Sequence, residues 1–220
     1  MTISAIVLDL DGVIVDTEDV WDRARREYVD GHGGTWTDTA TRTMQGMSSG
    51  EWSAYLREEL GADGDPADIS RAVAATVVAE VDRELPLLPG AVRAVNVLAT
   101  AYPLALASSA NREVIDAVLD AAGLTERFGA TVSSEEVERG KPAPDVYLEA
   151  ARRIGLDPTA CAAIEDSSNG LRAAHAAGML VIATPNHAFP PAPDALALAA
   201  VVVDGIKDVT PELMASLGTP

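Results

Sequence analysis

The sequence has one cysteine, few aromatic side chains and no long apolar run. Cys161 is the only cysteine among 220 residues, so no intrachain disulfide can form. Its apolar neighbours predict a buried small side chain rather than a reactive thiol. No run approaches the roughly 18 apolar residues that a membrane helix needs, and the first residues lack the basic segment of a signal peptide. We therefore expect a cytoplasmic protein with no membrane partner.

Basic residues are also scarce. The chain has 16 lysines and arginines against 34 aspartates and glutamates, which gives a net charge of −18 and a pI of about 4.3. Such a chain repels nucleic acid on average, so we expect no nucleic-acid partner. A small anionic substrate is compatible with this charge, because a site can be locally positive. Any lysine or metal ion in that site then becomes more important.

Six short apolar runs alternate with helical patterns along most of the chain. The runs are continuous rather than alternating, which is typical of strands buried on both faces of a parallel sheet. Helical segments between them favour an α/β fold with a mainly parallel sheet. The predicted strands are Ser4–Leu8, Leu104–Ala107, Ala130–Ser133, Cys161–Ile164, Leu180–Ala183 and Val201–Val203.

One region breaks this alternation, because residues 17–85 show helix signals and no convincing strand. Ser48 and Glu51 form a capping-box pattern at the start of an amphipathic segment. Residues 86–90, which contain two prolines and a glycine, read as the return linker. We therefore predict a helical module of residues 17–86, inserted into an α/β core formed by residues 1–16 and 87–220.

Two aspartates, Asp9 and Asp11, follow the first predicted strand in the sequence DLDG. Residues i and i+2 of a strand point to one face, and the carboxyl ends of parallel strands open on the crevice where ligands bind. Paired carboxylates raise each other's pKa unless a cation joins them, and Mg²⁺ is the natural partner. Taken alone, this pattern is equally compatible with a turn or a helix cap.

Three further groups of polar residues follow or lie between predicted strands. Glu165 and Asp166 follow the fourth strand, so their carboxylates can meet those of the first strand at a metal ion. Ser108 and Ser109 lead from a strand tip into a helix N-terminus, which is a phosphate-binding geometry. Lys141 lies beside two prolines that fix the backbone around it. A lone lysine is more often a surface group, but here it can be a positioned cation.

The order of these elements resembles the haloacid dehalogenase superfamily over almost the whole chain. Within that superfamily the chain is most similar to the subgroup with a helical cap, which includes β-phosphoglucomutase and many sugar-phosphate phosphatases. The resemblance implies a Rossmann-like, doubly wound core with an inserted α-helical cap domain. The matching stretches are DLDGVIVDTE (9–18), ALASSAN (105–111), GKPAPDVY (140–147) and IEDSSNG (164–170).

The resemblance also implies a catalytic role for three residues. Asp9 is similar to the nucleophile that forms an aspartyl-phosphate, and Asp11 to the general acid that protonates the leaving oxygen and then activates water. Lys141 is similar to the cation between the nucleophile and the phosphoryl oxygens. The expected reaction is Mg²⁺-dependent hydrolysis of a small phosphate monoester, such as a sugar phosphate.

Metal and phosphate ligands are implied in the same way. Mg²⁺ is expected on Asp9, the carbonyl of Asp11 and Asp166, while Glu165 either contacts the ion or supports a residue that does. The transferred phosphate is expected on Ser108, on the backbone of Ser109 and on Lys141. Asp11 itself favours a phosphatase or phosphomutase, since relatives that cleave a carbon–halogen bond lack it.

The alternative within the family is a phosphomutase, and the sequence departs from that pattern. Trp21 replaces a cap histidine of β-phosphoglucomutase, and Ser49 replaces the cap arginine that holds its second phosphate. Ala110 and Asn111 replace a serine and a lysine that hold the same phosphate, and Arg112 could compensate only from a position shifted by one. These replacements favour hydrolysis over interconversion of sugar phosphates.

Cap residues are expected to set the substrate. Thr17, Trp21, Gly46 and Asn111 are the candidates, and Trp52 either lines the pocket or belongs to the cap core. The expected partner is a small phosphorylated metabolite, and the expected state is a monomer. A receiver-like signalling domain is about half as long and lacks the insert, and a phosphonate-cleaving relative needs a cap lysine that residues 17–85 lack. The complete set of motif residues argues against a catalytically silent binding module.

Overall fold

A computed structural model describes residues 2–44, 46–186 and 189–218. This part of the chain contains six strands and ten α-helices, and the strands alternate with helices outside a helical insert after the first strand, as the sequence predicts. The strands are β1 (Ala5–Leu8), β2 (Leu104–Ser108), β3 (Ala130–Ser133), β4 (Cys161–Glu165), β5 (Leu180–Ala183) and β6 (Val201–Val202). The helices are α1 (Glu18–Gly31), α2 (Ala40–Met44), α3 (Ser49–Glu58), α4 (Pro66–Arg83), α5 (Ala91–Ala99), α6 (Arg112–Ala121), α7 (Asp145–Arg153), α8 (Ser168–Ala176), α9 (Pro193–Leu196) and α10 (Pro211–Leu217).

The six strands form one parallel sheet in the order β3-β2-β1-β4-β5-β6. All six predicted strands are confirmed, each within one residue at either end. β1 lies between β2 and β4, so the direction of winding reverses beside it, and ligands bind at such a reversal in doubly wound folds. The predicted α/β, Rossmann-like architecture is therefore confirmed.

The core lies on both faces of this sheet. Ile6 and Leu8 of β1 pack into one layer, whereas Ala5 and Val7 pack into the other. All four are fully buried, which explains why the strand appears in the sequence as a continuous apolar run. Cys161 is buried in the second layer as a free thiol, as predicted.

Helices α1 to α4 form the insert that follows β1. The predicted capping box starts α3, where the backbone N–H of Ser48 donates to the Glu51 carboxylate at 2.8 Å. The chain leaves and re-enters the core through two adjacent segments, since the Asp16 N–H donates to the carbonyl of Pro86 at 2.8 Å. The division into two domains at these residues stays a prediction. No helix in the described ranges has the length and apolarity of a membrane span.

Candidate active site

The loop after β1 brings the first aspartates to the strand where the sheet reverses. The Asp9 N–H donates to the carbonyl of Ile164 on β4 at 3.0 Å, which ties the two strand ends together. Gly12 then turns the chain with a φ of +75°, and a Cβ there would lie 1.9 Å from the Asp166 carboxylate. Only glycine fits this position, because the loop after β1 packs directly against the side chain that follows β4.

Lys141 forms the centre of a buried ion-pair network. Its Nζ lies 3.0 Å from Asp9 Oδ1 and 2.6 Å from Glu165 Oε1, and it sits over the Tyr147 ring at 5.0 Å from the centroid. Burial works against the charge of Lys141, but the two carboxylates outweigh it and raise its pKa above the ordinary value. The predicted positioned cation therefore reaches the predicted nucleophile, from a loop 132 residues further along the chain.

Glu165 uses both carboxylate oxygens within the protein. Oε1 accepts from Lys141 and from the Tyr147 hydroxyl, and Oε2 accepts from the backbone N–H groups of Asp166 and Ser167 at 2.9 Å each. Burial opposes its charge, yet Lys141 and these donors lower its pKa. α8 approaches so closely that a Cβ at Gly170 would lie 1.6 Å from Glu165 Oε1. Of the two roles left open by the sequence, this geometry favours support of Lys141.

A metal ion fits beside this network. Ligand oxygens of Asp9, Glu165 and Asp166 lie within 4.8 Å of one another, and all three residues are buried. Burial is the largest cause that raises the pKa of Asp9 and Asp166 well above the usual value, and repulsion from neighbouring carboxylates adds to it. Such an arrangement of buried oxygen ligands suits a hard divalent cation, which would relieve the repulsion.

Asp11 lies under the first helix of the insert. The buried hydroxyl of Thr17 donates to Asp11 Oδ1, and the Trp21 ring also hydrogen-bonds to this carboxylate. Burial raises the pKa of Asp11, while the bonds from Thr17 and Trp21 partly oppose the rise. A carboxyl with a raised pKa retains a proton to higher pH, which suits a general acid.

The tip of β2 presents two serines in different surroundings. The Ser108 hydroxyl is fully buried and accepts from the Ala110 N–H at 3.1 Å, which leaves its own proton free to donate. Ser109 lines the same cavity as Asp9 and Lys141, and its hydroxyl is buried without a partner among the described residues. The sequence indicated only the backbone of Ser109, so the hydroxyl is an additional candidate ligand for an anion.

The four substrate candidates from the sequence fall in different places. Trp21 and Gly46 line the cavity, and Gly46 packs against Asn169 of the core. Thr17 is fully buried and holds Asp11 instead. Asn111 is also buried, and its amide donates to Ser70 of the insert at 2.8 Å and to Glu135 of the core at 2.7 Å. Asn111 therefore joins the insert to the core, and its role toward substrate stays untested.

Two charged residues of the cavity, Glu18 and Arg25, were not predicted from the sequence, although their spacing from Trp21 indicates them. Glu18 precedes Trp21 by three residues and Arg25 follows it by four, so all three share one face of α1. Trp52 also lines the cavity, with its ring centroid 6.0 Å from that of Trp21. The helical spacing around Trp21 is the signal in the sequence that indicates Glu18 and Arg25.

Comparisons with known proteins show the family to which the chain belongs. A family model described as haloacid dehalogenase-like hydrolase matches residues 3–178. Hexitol phosphatase B of Escherichia coli strain K12 is 32% identical over 192 residues, which cover 83% of this chain and 84% of that protein. The bifunctional riboflavin kinase/FMN phosphatase of Arabidopsis thaliana is 34% identical over 185 residues, or 83% of this chain, but the chain spans only 48% of that protein.

A solved structure shows the same fold. The crystal structure of CbbY from Rhodobacter sphaeroides in complex with phosphate superposes with a TM-score of 0.81 at 28% identity, over 94% of this chain and 96% of that one. The chain therefore belongs to the haloacid dehalogenase-like hydrolases and is an enzyme. Relatives named as phosphatases place it with the phosphoric monoester hydrolases of that family.

Proposed function

We propose that this enzyme is a Mg²⁺-dependent phosphatase that hydrolyses a small phosphorylated metabolite through an aspartyl-phosphate on Asp9. One observation carries the proposal: the Lys141 ammonium lies 3.0 Å from the buried Asp9 carboxylate, on the wall of a cavity that Asp166 and Ser109 also line. This arrangement gathers a nucleophile, a cation and candidate phosphate donors in one place.

The first step is attack of Asp9 on the phosphorus atom, with release of the alcohol. A carboxylate and a phosphate dianion repel each other, so the reaction depends on positive charge held where negative charge gathers. Lys141 supplies one such charge, since Glu165 and Tyr147 fix its position. The hydroxyl groups of Ser108 and Ser109 are the candidate donors to the remaining phosphoryl oxygens.

Asp11 moves the protons in both steps. In the protonated form it donates to the leaving alkoxide, and the resulting carboxylate then takes a proton from the water that hydrolyses the aspartyl-phosphate. The bonds from Thr17 and Trp21 hold its side chain in one orientation. Trp21 makes this bond with its indole N–H, which does not titrate and so takes no part in the proton transfer.

The residues that would hold Mg²⁺ are Asp9 and Asp166, with the carbonyl of Asp11. When bound, the ion neutralises part of the charge that develops on the transferred phosphoryl group. Glu165 contributes to this site through Lys141 and the backbone N–H groups of Asp166 and Ser167.

The site favours a phosphatase over a phosphomutase. Arg112 could compensate for a lost phosphate contact, but its guanidinium already binds Glu136, Asp116 and Thr131. Ser49 donates to Glu135 rather than facing the cavity. The side chains of Ser49 and Arg112 are therefore already engaged within the protein, which argues against their binding a second phosphate. That the enzyme acts as a monomer in the cytoplasm stays an expectation.

Phosphate release from p-nitrophenyl phosphate tests the proposal. The wild-type protein should turn over in Mg²⁺ and stop in excess EDTA, and Asp9→Asn should remove activity without loss of the folded state, because an amide cannot form the acyl-phosphate. Asp16→Asn, an exposed change in the same loop, is the control. Residual activity of Asp9→Asn within about tenfold of wild type would exclude Asp9 as the nucleophile. Bisphosphate-stimulated interconversion of glucose phosphates would favour the mutase instead.

A further inference from the structure

The guanidinium of Arg25 lies over two tryptophan rings at the cap side of the cavity. Its Cζ is 5.0 Å from the Trp21 ring centroid and 4.9 Å from that of Trp52. Aromatic rings at this distance attract a cation through their π faces. Contact with two rings restricts where the guanidinium can lie, at the cap side of the cavity.

Arg25 also lacks the ion pairs that its neighbours on α1 have. Arg23 pairs with Glu80 and Arg26 pairs with Asp22. Among the described residues, no carboxylate lies within 4.0 Å of the Arg25 guanidinium, and its Nε is buried without a hydrogen-bond partner. A buried donor without a partner on a charged group is costly. A ligand that supplies an acceptor to this donor would therefore bind favourably.

Glu18 complements Arg25 on the same wall. Both residues line the cavity together with Asp9 and Lys141, and no salt bridge joins them to each other within the described ranges. Lys141 is already bound by Asp9 and Glu165. Arg25 is thus the cation left for the part of a substrate that is not transferred, and Glu18 is the acceptor beside it.

The charge of the cavity distinguishes two kinds of substrate. Among its described lining residues, four carboxylates, Asp9, Asp11, Glu18 and Asp166, face two cations, Arg25 and Lys141. In the proposed mechanism Mg²⁺ would offset Asp9 and Asp166, and Asp11 carries a proton, which leaves Glu18 as the carboxylate on the Arg25 side of the cavity. A second anionic group on the substrate would be repelled by Glu18. A hydroxyl group can accept from Arg25 and donate to Glu18 without adding charge.

We propose that Arg25 and Glu18 form a specificity site that binds the hydroxyl groups of a neutral polyol or sugar chain attached to the transferred phosphate. The inference rests on the proposed phosphatase function and deepens it. Arg25 donates to the hydroxyl oxygens, Glu18 accepts from the hydroxyl protons, and Trp21 and Trp52 hold the guanidinium in place. These residues act on substrate selection rather than on the bond that is cleaved.

Three phosphate esters of equal chain length test the proposal. Sorbitol 6-phosphate has neutral hydroxyl groups, 6-phosphogluconate adds a carboxylate at the far end, and hexyl phosphate lacks hydroxyl groups. We expect the wild-type kcat/KM to be highest for sorbitol 6-phosphate, by about tenfold or more, because a site built to bind hydroxyl groups discriminates against analogues that lack them. In Arg25→Met, the preference for sorbitol 6-phosphate over hexyl phosphate should fall about tenfold. Arg23→Met, an exposed arginine on the same helix, is the matched control.

The ratio of the two kcat/KM values separates specificity from a structural role, because a general loss of folded enzyme lowers both values equally. If Arg25→Met fails to fold, as a thermal melt would show, Glu18→Gln tests the same ratio. An unchanged ratio, a wild-type preference for 6-phosphogluconate, or turnover of p-nitrophenyl phosphate without turnover of sorbitol 6-phosphate overturns this inference alone. Absence of turnover with every phosphate ester instead rejects the phosphatase function.

Discussion

The ammonium group of Lys141 lies 2.6 Å from Glu165 Oε1, and both side chains are almost completely removed from solvent. Lys141 lies in the loop before α7, and Glu165 is the last residue of β4, 24 positions further along the chain. Burial of either charge alone is costly, whereas the pair satisfies both. This pair fixes the cation that lies beside Asp9, so it connects the stability of the core with the chemistry of the site.

Removal of both partners should therefore cost less than the two single removals added together. Lys141→Met leaves Glu165 buried without its cation, and we expect a loss of about 3–5 kcal/mol in unfolding free energy. The double variant Lys141→Met/Glu165→Gln should be destabilised less than the sum of the single changes, with a coupling of about 1–3 kcal/mol. Urea unfolding of the four proteins measures this cycle, and additive losses would show that the pair is not energetically coupled.

The close approach of Gly170 to Glu165 leads to a second prediction. A Cβ at position 170 would overlap the Glu165 carboxylate at 1.6 Å, so Gly170→Ala must displace the side chain that holds Lys141. We expect a loss of about 1–3 kcal/mol in stability, together with a large fall in kcat. Gly50→Ala in α3 is the matched control, because open space surrounds that glycine and alanine there should add about 0.5–1 kcal/mol. Equal behaviour of the two variants would mean that α8 can move away.

Much of the fold could be predicted because both faces of the sheet are buried. Ile6 and Val7 point to opposite layers and both are apolar, so β1 appears in the sequence as an uninterrupted run. The carboxyl ends of parallel strands meet at one edge, and for that reason the polar residues after β1 and β4 could be placed together. Local sequence and strand direction were sufficient for this part of the site.

Other parts depend on contacts that the sequence does not encode locally. Asn111 occupies the N-cap position of α6, yet its amide binds Ser70 and Glu135, which lie 41 and 24 residues away. Only the docking of α4 on the core brings these groups together. The helical spacing from Trp21 could have indicated Arg25, but the contact of its guanidinium with Trp52 of α3 depends on the packing of the cap helices.

Magnesium should stabilise the folded protein. Asp9 and Asp166 are buried carboxylates whose pKa values are raised mainly by burial and further by their neighbours, so the apo site is electrostatically unfavourable. A ligand that binds only the folded state, and is present at a concentration 100 times its Kd, raises the unfolding free energy by about 2.7 kcal/mol. Differential scanning calorimetry should show an upward shift in Tm with millimolar Mg²⁺, which Asp166→Asn should remove. The exposed change Asp82→Asn on α4 should leave the shift intact, and a flat response of the wild type would argue against the metal site.

Glu18 should make the stability of the metal-free protein depend on pH. Burial, with help from Asp11, raises the pKa of Glu18 from 4.5 to about 7 in the folded state. A carboxyl with a raised folded-state pKa favours folding below its unfolded value, and that contribution is lost as the pH rises through the folded value. At pH 8 both states carry the charge and the folded state bears its cost, which Glu18→Gln removes. The unfolding free energy of Glu18→Gln relative to wild type should therefore rise by about 1–2 kcal/mol from pH 4.5 to pH 8. This value is smaller than the full pKa shift implies, because solvent screens a partly exposed carboxylate. Urea unfolding in EDTA at the two pH values measures this difference. Glu27→Gln, an exposed change on the same helix, is the control. An equal difference at both pH values would show that Glu18 ionises as freely in the folded protein as in the unfolded chain.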